Sequence, residues 1–384
     1  MHKRRANFNL NWADLPAQRE FCLRAGSKRN LCSGASLDAI VVPIAISISL
    51  RKFARLPIIL LFIASVCGTE FAMAQSPNEC DPAKVITSET CAKCHANEYN
   101  VWKSTPHFRT FDTLHRAPQA RSILDRMGIK GSIKRSGICI DCHYTPQLQE
   151  DKLKPVSGVS CESCHGAAQD WVTIHNNFGG PGITRAQEPE THRLERITAS
   201  VELGMRNPRN LYLVARSCLA CHTVPNEDLV NIGGHTAGSE AFEMVSWSQG
   251  MLRHNFVRSN GQANETSAPQ RLRIMYLAGL IADVEFSLRA TARATERGVY
   301  GHAVAARAAR NAMKLYQIQQ QLQHPLLEEI LIAFSKVELK TNNAAELNAV
   351  ADQIQQCGQQ LATQIEGNQL AFLDSQIPDA SQYK

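Results

Sequence analysis

The sequence predicts a mainly α-helical chain in two unlike parts. Three observations carry that prediction. In the front part, Cys and His fall in short groups of fixed spacing, separated by polar stretches punctuated by Pro and Gly. In the back part, apolar residues recur at three- and four-residue steps, the signature of helix faces. Across the chain, aromatic residues make up only 6%, while Cys and His number 13 each. A loop-rich front with short helices, followed by an antiparallel helical bundle, fits all three.

The chain opens on a leader. Residues 1–74 hold ten Lys+Arg and four Asp+Glu, and residues 75–384 hold 31 of each sign, so the whole +6 charge lies in the leader. Arg51-Lys52-Phe53-Ala54-Arg55 is a positive n-region, Leu56 to Val66 is apolar, and Ala72-Met73-Ala74 precedes Gln75. That order reads as a cleaved secretory signal peptide. The apolar run is shorter than the roughly 20 residues a bilayer span needs. Lipidation at Cys67 is the alternative, and the first 50 residues read either as a mis-called start, with translation beginning near Leu50, or as a long, functionless n-region. The mature chain is then neutral, exported to the periplasm and not membrane-spanning, and its charge gives no footprint for nucleic acid.

Four CxxCH groups follow: Cys91-Ala92-Lys93-Cys94-His95, Cys139-Ile140-Asp141-Cys142-His143, Cys161-Glu162-Ser163-Cys164-His165 and Cys218-Leu219-Ala220-Cys221-His222. One helical turn sets positions i and i+3 on one side. Two thiols so placed can form thioethers with the two vinyl groups of one porphyrin, and the next His lies under the iron. The expected cofactor is therefore four covalently bound haem c. A redox disulfide or a zinc site explains the pairs less well, because neither needs a His after each pair.

A second axial His would make each iron six-coordinate, and its absence would leave an open position. Four candidates stand out. His107 follows the break at Ser104-Thr105-Pro106 and starts a helix. His175 ends Trp171-Val172-Thr173-Ile174-His175, before the Gly-rich turn at 179–182. His235 lies in a Gly-Gly-His loop. His254 is expected on a helix from Ser239 to about Phe256, sharing a face with Trp247 and Met251. His115, His192, His302 and His324 read as non-ligands, with His324 capping a helix before Pro325.

Here the sequence resembles the tetrahaem cytochrome c-554 family, whose electron-transfer members come from ammonia oxidisers. The order of the four CxxCH groups carries the resemblance, with Trp102 before His107, and Cys161 to Gly166 followed by His175. It extends over about residues 88–256. It implies a compact haem domain with closely stacked haems, most of them bis-His and one high-spin. By position, His107, His175 and His254 match the family's distal ligands, whereas His235 has no counterpart.

Residues 144–158 and 179–210 read as long loops, with no clear period over 146–155. In the tail, Ile274, Leu277, Ile281, Val284 and Leu288 form one stripe. Val304, Ala308, Ala312, Leu315, Ile318 and Leu322 form a second. Leu326 to Val337 is a short third, and Leu347, Val350, Ile354, Cys357, Leu361 and Ile365 a fourth. Together they predict an antiparallel bundle that covers one side of the haem array or joins copies or partner subunits. Asp283 and Glu285 argue against a membrane span. The expected organisation is leader 1–74, haem domain 75–260 and bundle 262–384, with a disulfide between Cys80 and Cys357 as one option.

Two functions compete, beside a third in which the helical tail docks the chain as a subunit into a larger respiratory complex. One is a periplasmic carrier passing electrons between redox partner proteins, with no catalytic residues. The other is a haem enzyme acting on a small nitrogen compound at a five-coordinate iron. The lack of a CxxCK motif counts against the second.

Overall fold

The computed structural model describes residues 80–384. The signal-peptide run, the expected cleavage before Gln75 and Cys67 lie outside the described residues.

The front is a string of short helices. The first, α1 (Ser88–Ala92), ends inside the first CxxCH group, and α2 (Ala96–Lys103) follows at once. Thr105 accepts a hydrogen bond from the Phe108 amide and caps α3 (Pro106–Thr113), with Pro106 in the first turn. Next come α4 (Pro118–Arg126) and α5 (Gly137–His143).

The expected loop at 144–158 is instead a hairpin of β1 (Thr145–Gln149) and β2 (Lys152–Ser157), paired antiparallel. Its turn rests on Glu150 and Asp151, both at positive φ (49° and 57°). Two such residues give the left-handed turn that matches strand twist. Two prolines in the stretch hid the strands, although Pro146 and Pro155 face one another across the pair.

After α6 (Cys161–His165) and α7 (Val172–His175), the second expected loop contains a full helix, α8 (Glu190–Glu202). Leu194, Ile197 and Val201 give it a helical stripe. Arg196 binds the Glu188 carboxylate through Nε and Nη2 at 2.6 and 2.7 Å, tying α8 to the segment before it.

The chain continues through α9 (Leu211–His222), α10 (Glu227–Asn231) and α11 (Met244–Gln249). The helix expected from Ser239 to Phe256 is cut to α11. Gly250 leaves helical geometry, and a Cβ there would overlap the Lys384 backbone. Trp247, Met251 and His254 therefore share no helix face, and His254 stands in the segment beyond.

All four tail helices form: α12 (Pro269–Thr291), α13 (Val299–Leu322), α14 (Pro325–Ser335) and α15 (Ala344–Gln364). His324 caps α14 as expected, its Nδ1 accepting from the Leu326 amide at 3.2 Å. The first stripe understates α12, which is buried on every side from Met275 to Leu288. One apolar core joins α12 to the other tail helices and also takes in Tyr212, Ala215 and Leu219 of α9 and Met244 and Val245 of α11. The helix that ends in the fourth CxxCH group is thus built into the core of the tail.

Two acids sit inside this core. Glu285, fully buried, accepts from the Tyr212 hydroxyl at 2.6 Å and from Arg216 and Arg289 at 2.9 and 2.8 Å. Asp283 takes a two-pronged contact from Arg307 at 2.6 and 2.7 Å. Paired in this way, buried charges are tolerable. Cys80 and Cys357 are both free thiols, so the disulfide option is not realised. Cys80 stands near Glu162, Arg206 and Cys164, whereas Cys357 faces Glu329 from α15.

Candidate metal centres

Each CxxCH group sits on a helical turn. In the first, the His95 amide bonds to the Cys91 carbonyl at 2.9 Å. The second is the body of α5, the third is the whole of α6, and the fourth is the last turn of α9.

Each motif histidine faces one of the four candidates. Ring centres are 6.4 Å apart for His95 and His175, and 6.3 Å apart for His143 with His235, His165 with His254, and His222 with His107. These separations are nearly identical, while the ring planes differ by anything from 25° to 89°. Two metal–imidazole bonds of about 2 Å each, with ~1 Å from bonding nitrogen to ring centre on either side, separate ring centres by about 6 Å. The donor sets therefore fit an iron held between two imidazoles. Among the described residues, no three His, Cys, Asp or Glu converge as an ion site.

Second contacts fix the ring orientations. Nδ1 of His165 meets the Arg206 carbonyl at 3.2 Å, Nδ1 of His175 the Val172 carbonyl at 2.6 Å, and Nδ1 of His235 the Thr236 carbonyl at 2.9 Å. Nδ1 of His254 meets the Leu252 carbonyl at 2.5 Å. A carbonyl can only accept, so Nδ1 carries the proton and Nε2 keeps its lone pair for a metal. Burial, aided by the facing histidine, pushes His143 and His165 down to about 4. Burial likewise takes His222 to about 4, with His107 adding to the shift. These rings are neutral, as ligands must be.

Buried polar atoms left without partners include the Trp171 indole nitrogen, edge-on to His175, and the Tyr144 hydroxyl. Orphaned donors of this kind fit a cofactor that carries its own acceptors, such as carboxylates.

The groups are ordered in space differently from their order in the chain. Cys91 and Cys161 lie within hydrogen-bonding reach, as do Cys142 and Cys221. Ser217 Oγ donates to the Cys164 carbonyl at 2.9 Å, joining the third group to the fourth. The motifs thus run first, third, fourth, second. Glu162, inside the third group, holds this corner together by accepting from the Ile86, Thr87 and Ala168 amides at 2.9–3.0 Å. Trp102 donates to the Val159 carbonyl at 2.8 Å, which sets α2 against the entry to the same group.

Among the other described histidines, two have roles of their own. His192 is held by Glu188, His324 is the cap of α14, and His115 and His302 lie on their own elements. Sequence reasoning missed Phe242, which stacks on His222 at 4.9 Å, and the α13 side chain Arg307 that reaches the His222 carbonyl. Neither is spaced in a way that ties it to a CxxCH group.

Residues 90–166 match the family model for cytochrome c554 and c-prime. The chain carries a c554-type cytochrome segment. For that segment the family implies covalently bound haem c. Three of the four CxxCH groups lie inside the match, and the fourth lies beyond it. No curated protein and no solved structure matches the chain. Among the described residues, no helix is long and apolar enough to cross a membrane.

Proposed function

We propose that this c-type cytochrome carries electrons between redox partner proteins in the periplasm through four haem c groups, each held by two histidines. The carrying observation is the set of four imidazole pairs at 6.3–6.4 Å. Cys91 and Cys94, Cys139 and Cys142, Cys161 and Cys164, and Cys218 and Cys221 are the thioether anchors. His95, His143, His165 and His222 are the proximal ligands. His175, His235, His254 and His107 are the respective distal ligands. Bound there, haem iron alternates between ferric and ferrous states and so supplies the electron.

The chain's own residues do the rest. Histidine on both faces keeps the ligand set unchanged between oxidation states and favours a low potential, since Met/His ligation is what raises it. The contacts between motifs offer a path from the first group through the third and fourth to the second. His235 bears most directly on the competing enzyme reading. It comes from a loop and stands against His143, where an open position would otherwise be expected. Gly234 at φ 68°, with the Gly233 carbonyl taken by Arg126 at 2.7 Å, presents it there. With His175, His235, His254 and His107 as second ligands, the four irons would offer no open position to a substrate.

Haem analysis and EPR of the oxidised protein, with and without nitric oxide, test this. The expected result is four haems per chain and low-spin signals that the ligand leaves unchanged. A high-spin signal that responds to nitric oxide would replace the carrier with the enzyme. Export is tested separately, by N-terminal sequencing of the mature protein, which should begin at Gln75.

A further inference from the structure

The tail reaches the fourth CxxCH group through one buried side chain. Arg307, on α13, is 6% exposed, and its Nε and Nη2 bind Asp283 on α12. Its remaining nitrogen, Nη1, donates to the Ser239 carbonyl at 2.9 Å and lies 3.4 Å from the His222 carbonyl. The Ser239 amide donates to that same His222 carbonyl at 2.8 Å. Ser239 is therefore clasped by its backbone between the tail and the motif. Its hydroxyl then meets Nδ1 of His222 at 3.1 Å.

Gly238 makes the clasp possible. It lies at φ 88°, and a Cβ there would stand 3.0 Å from the His222 carbonyl oxygen and 3.2 Å from Arg307 Nη1. His222 also differs from several of the paired histidines. Among the described residues, His165, His175, His235 and His254 place Nδ1 against main-chain carbonyls, whereas His222 has a side-chain hydroxyl.

We infer that Ser239 and Arg307 are positioning residues through which the tail sets the reduction potential at the fourth CxxCH group. With Nε2 on the iron, Nδ1 of His222 donates to Ser239 Oγ. That hydrogen bond raises the basicity of the ligand and favours the ferric state. Arg307 fixes where Ser239 stands, and Asp283 neutralises the guanidinium, so the influence runs through hydrogen-bond geometry. The inference rests on the four-haem reading. Ser239 and Arg307 both lie outside the c554-type match at 90–166.

The test is a potentiometric titration of the four-haem protein, followed by EPR, comparing wild type with Ser239→Ala, Ser239→Thr and Arg307→Lys. In Ser239→Ala, one of four midpoints should rise by about tenfold in its reduction equilibrium, which is about 59 mV for one electron. The other three should hold, and one low-spin signal should change its g-values. Ser239→Thr, which keeps the hydroxyl, should restore the wild-type value, and Arg307→Lys should shift the same midpoint in the same direction. Four unchanged midpoints, or four moving together, overturn the relay. Fewer than four haems in the wild-type protein would instead overturn the reading beneath it.

Discussion

The front and the tail of this chain solve the same problem by different means. From α12 to α15 the chain packs long helices around a helix buried on all sides, with Leu277, Ile281, Leu288, Leu315, Ile330 and Ile354 almost wholly inaccessible. Between Ser88 and His175 the helices are at most nine residues long, and one small apolar cluster gathers Ala120, Leu124, Ile133, Cys139, Ile140 and Tyr144. Apolar side chains near the ligand pairs remain exposed, such as Ile232 at 54% and Met251 at 51%. Chain entropy must still be overcome in both regions. The tail does this with its own side chains, whereas in the function proposed above the front would draw on the apolar faces of bound haem.

The largest expected effect tests that division directly. Replacing Cys91, Cys94, Cys161 and Cys164 by Ser prevents attachment at the first and third groups. Amide exchange over Ser88–His175 should then lose its protection, while Pro269–Gln364 stays protected. The fourth-motif helix, α9, should follow the tail, because Tyr212 and Leu219 belong to the tail's core. Equal protection of both regions would show that the front has a self-sufficient core and would break the comparison.

The next effect lies within the tail. Glu285→Ala takes from Arg216 and Arg289 the buried carboxylate they share, leaving them Gln355 and, for Arg289, Asp352, and it leaves the Tyr212 hydroxyl without its partner. Removing one member of a buried ion pair costs about 3–5 kcal/mol, measurable by urea unfolding. Replacing Arg216, Glu285 and Arg289 together by apolar residues should recover most of that loss, because the desolvation cost disappears along with the pairing.

These two regions were also unequally legible. The tail declared itself, because a 3.6-residue apolar period survives in the sequence wherever one helix packs on another. The stripes through Ile274, Val304 and Leu347 all became helices. The sequence said less about how deep α12 lies. Its polar-looking positions, Asp283 and Glu285, are buried because arginines from α9, α12 and α13 reach them. In the front, the CxxCH groups were plain, since their spacing is dictated by covalent chemistry. The four facing histidines could be listed but not assigned, because pairing is a property of the fold: His107, near the first group in sequence, stands against His222 of the fourth. Elements with no cofactor role were lost. The β1–β2 hairpin lay behind two prolines. In α8, the stripe of Leu194, Ile197 and Val201 was overlooked among charges. The helix expected through His254 failed because Gly250 packs against a segment more than a hundred residues away.

A smaller effect probes the seam between the regions. Gly358, on α15, lies against Tyr212 of α9, and a Cβ there would come within 2.7 Å of the Tyr212 ring. Gly358→Ala forces that ring aside inside a filled core, at a cost of about 1–3 kcal/mol. Since Tyr212 also donates to Glu285, the cost should fall in the background of the apolar triple replacement, where that hydrogen bond is already gone. A double-mutant cycle by urea unfolding reads the coupling. Strict additivity would mean that α9 is not seated through Tyr212.

The smallest effect belongs to the front. Thr105 is fully buried, accepts from the Phe108 amide at 3.4 Å and donates to the Trp102 carbonyl at 2.7 Å, so it both ends α2 and starts α3. Thr105→Ala removes a helix cap worth about 1 kcal/mol. In the tail, a loss of that size would appear in the global unfolding transition. In a region whose helices are tethered to cofactors at several points, opening of α3 need not unfold its neighbours. The expected outcome is therefore local: amides of Pro106–Thr113 should exchange roughly fivefold faster, with the midpoint of global unfolding almost unmoved. Thr105→Ser, which keeps the oxygen, should exchange like wild type. His107 stands on the first turn of α3, so its low-spin signal should broaden in the Ala variant alone. If instead the whole molecule loses stability with α3, the front and the tail unfold as one unit, and the tether carries less of the front than the comparison assigns to it.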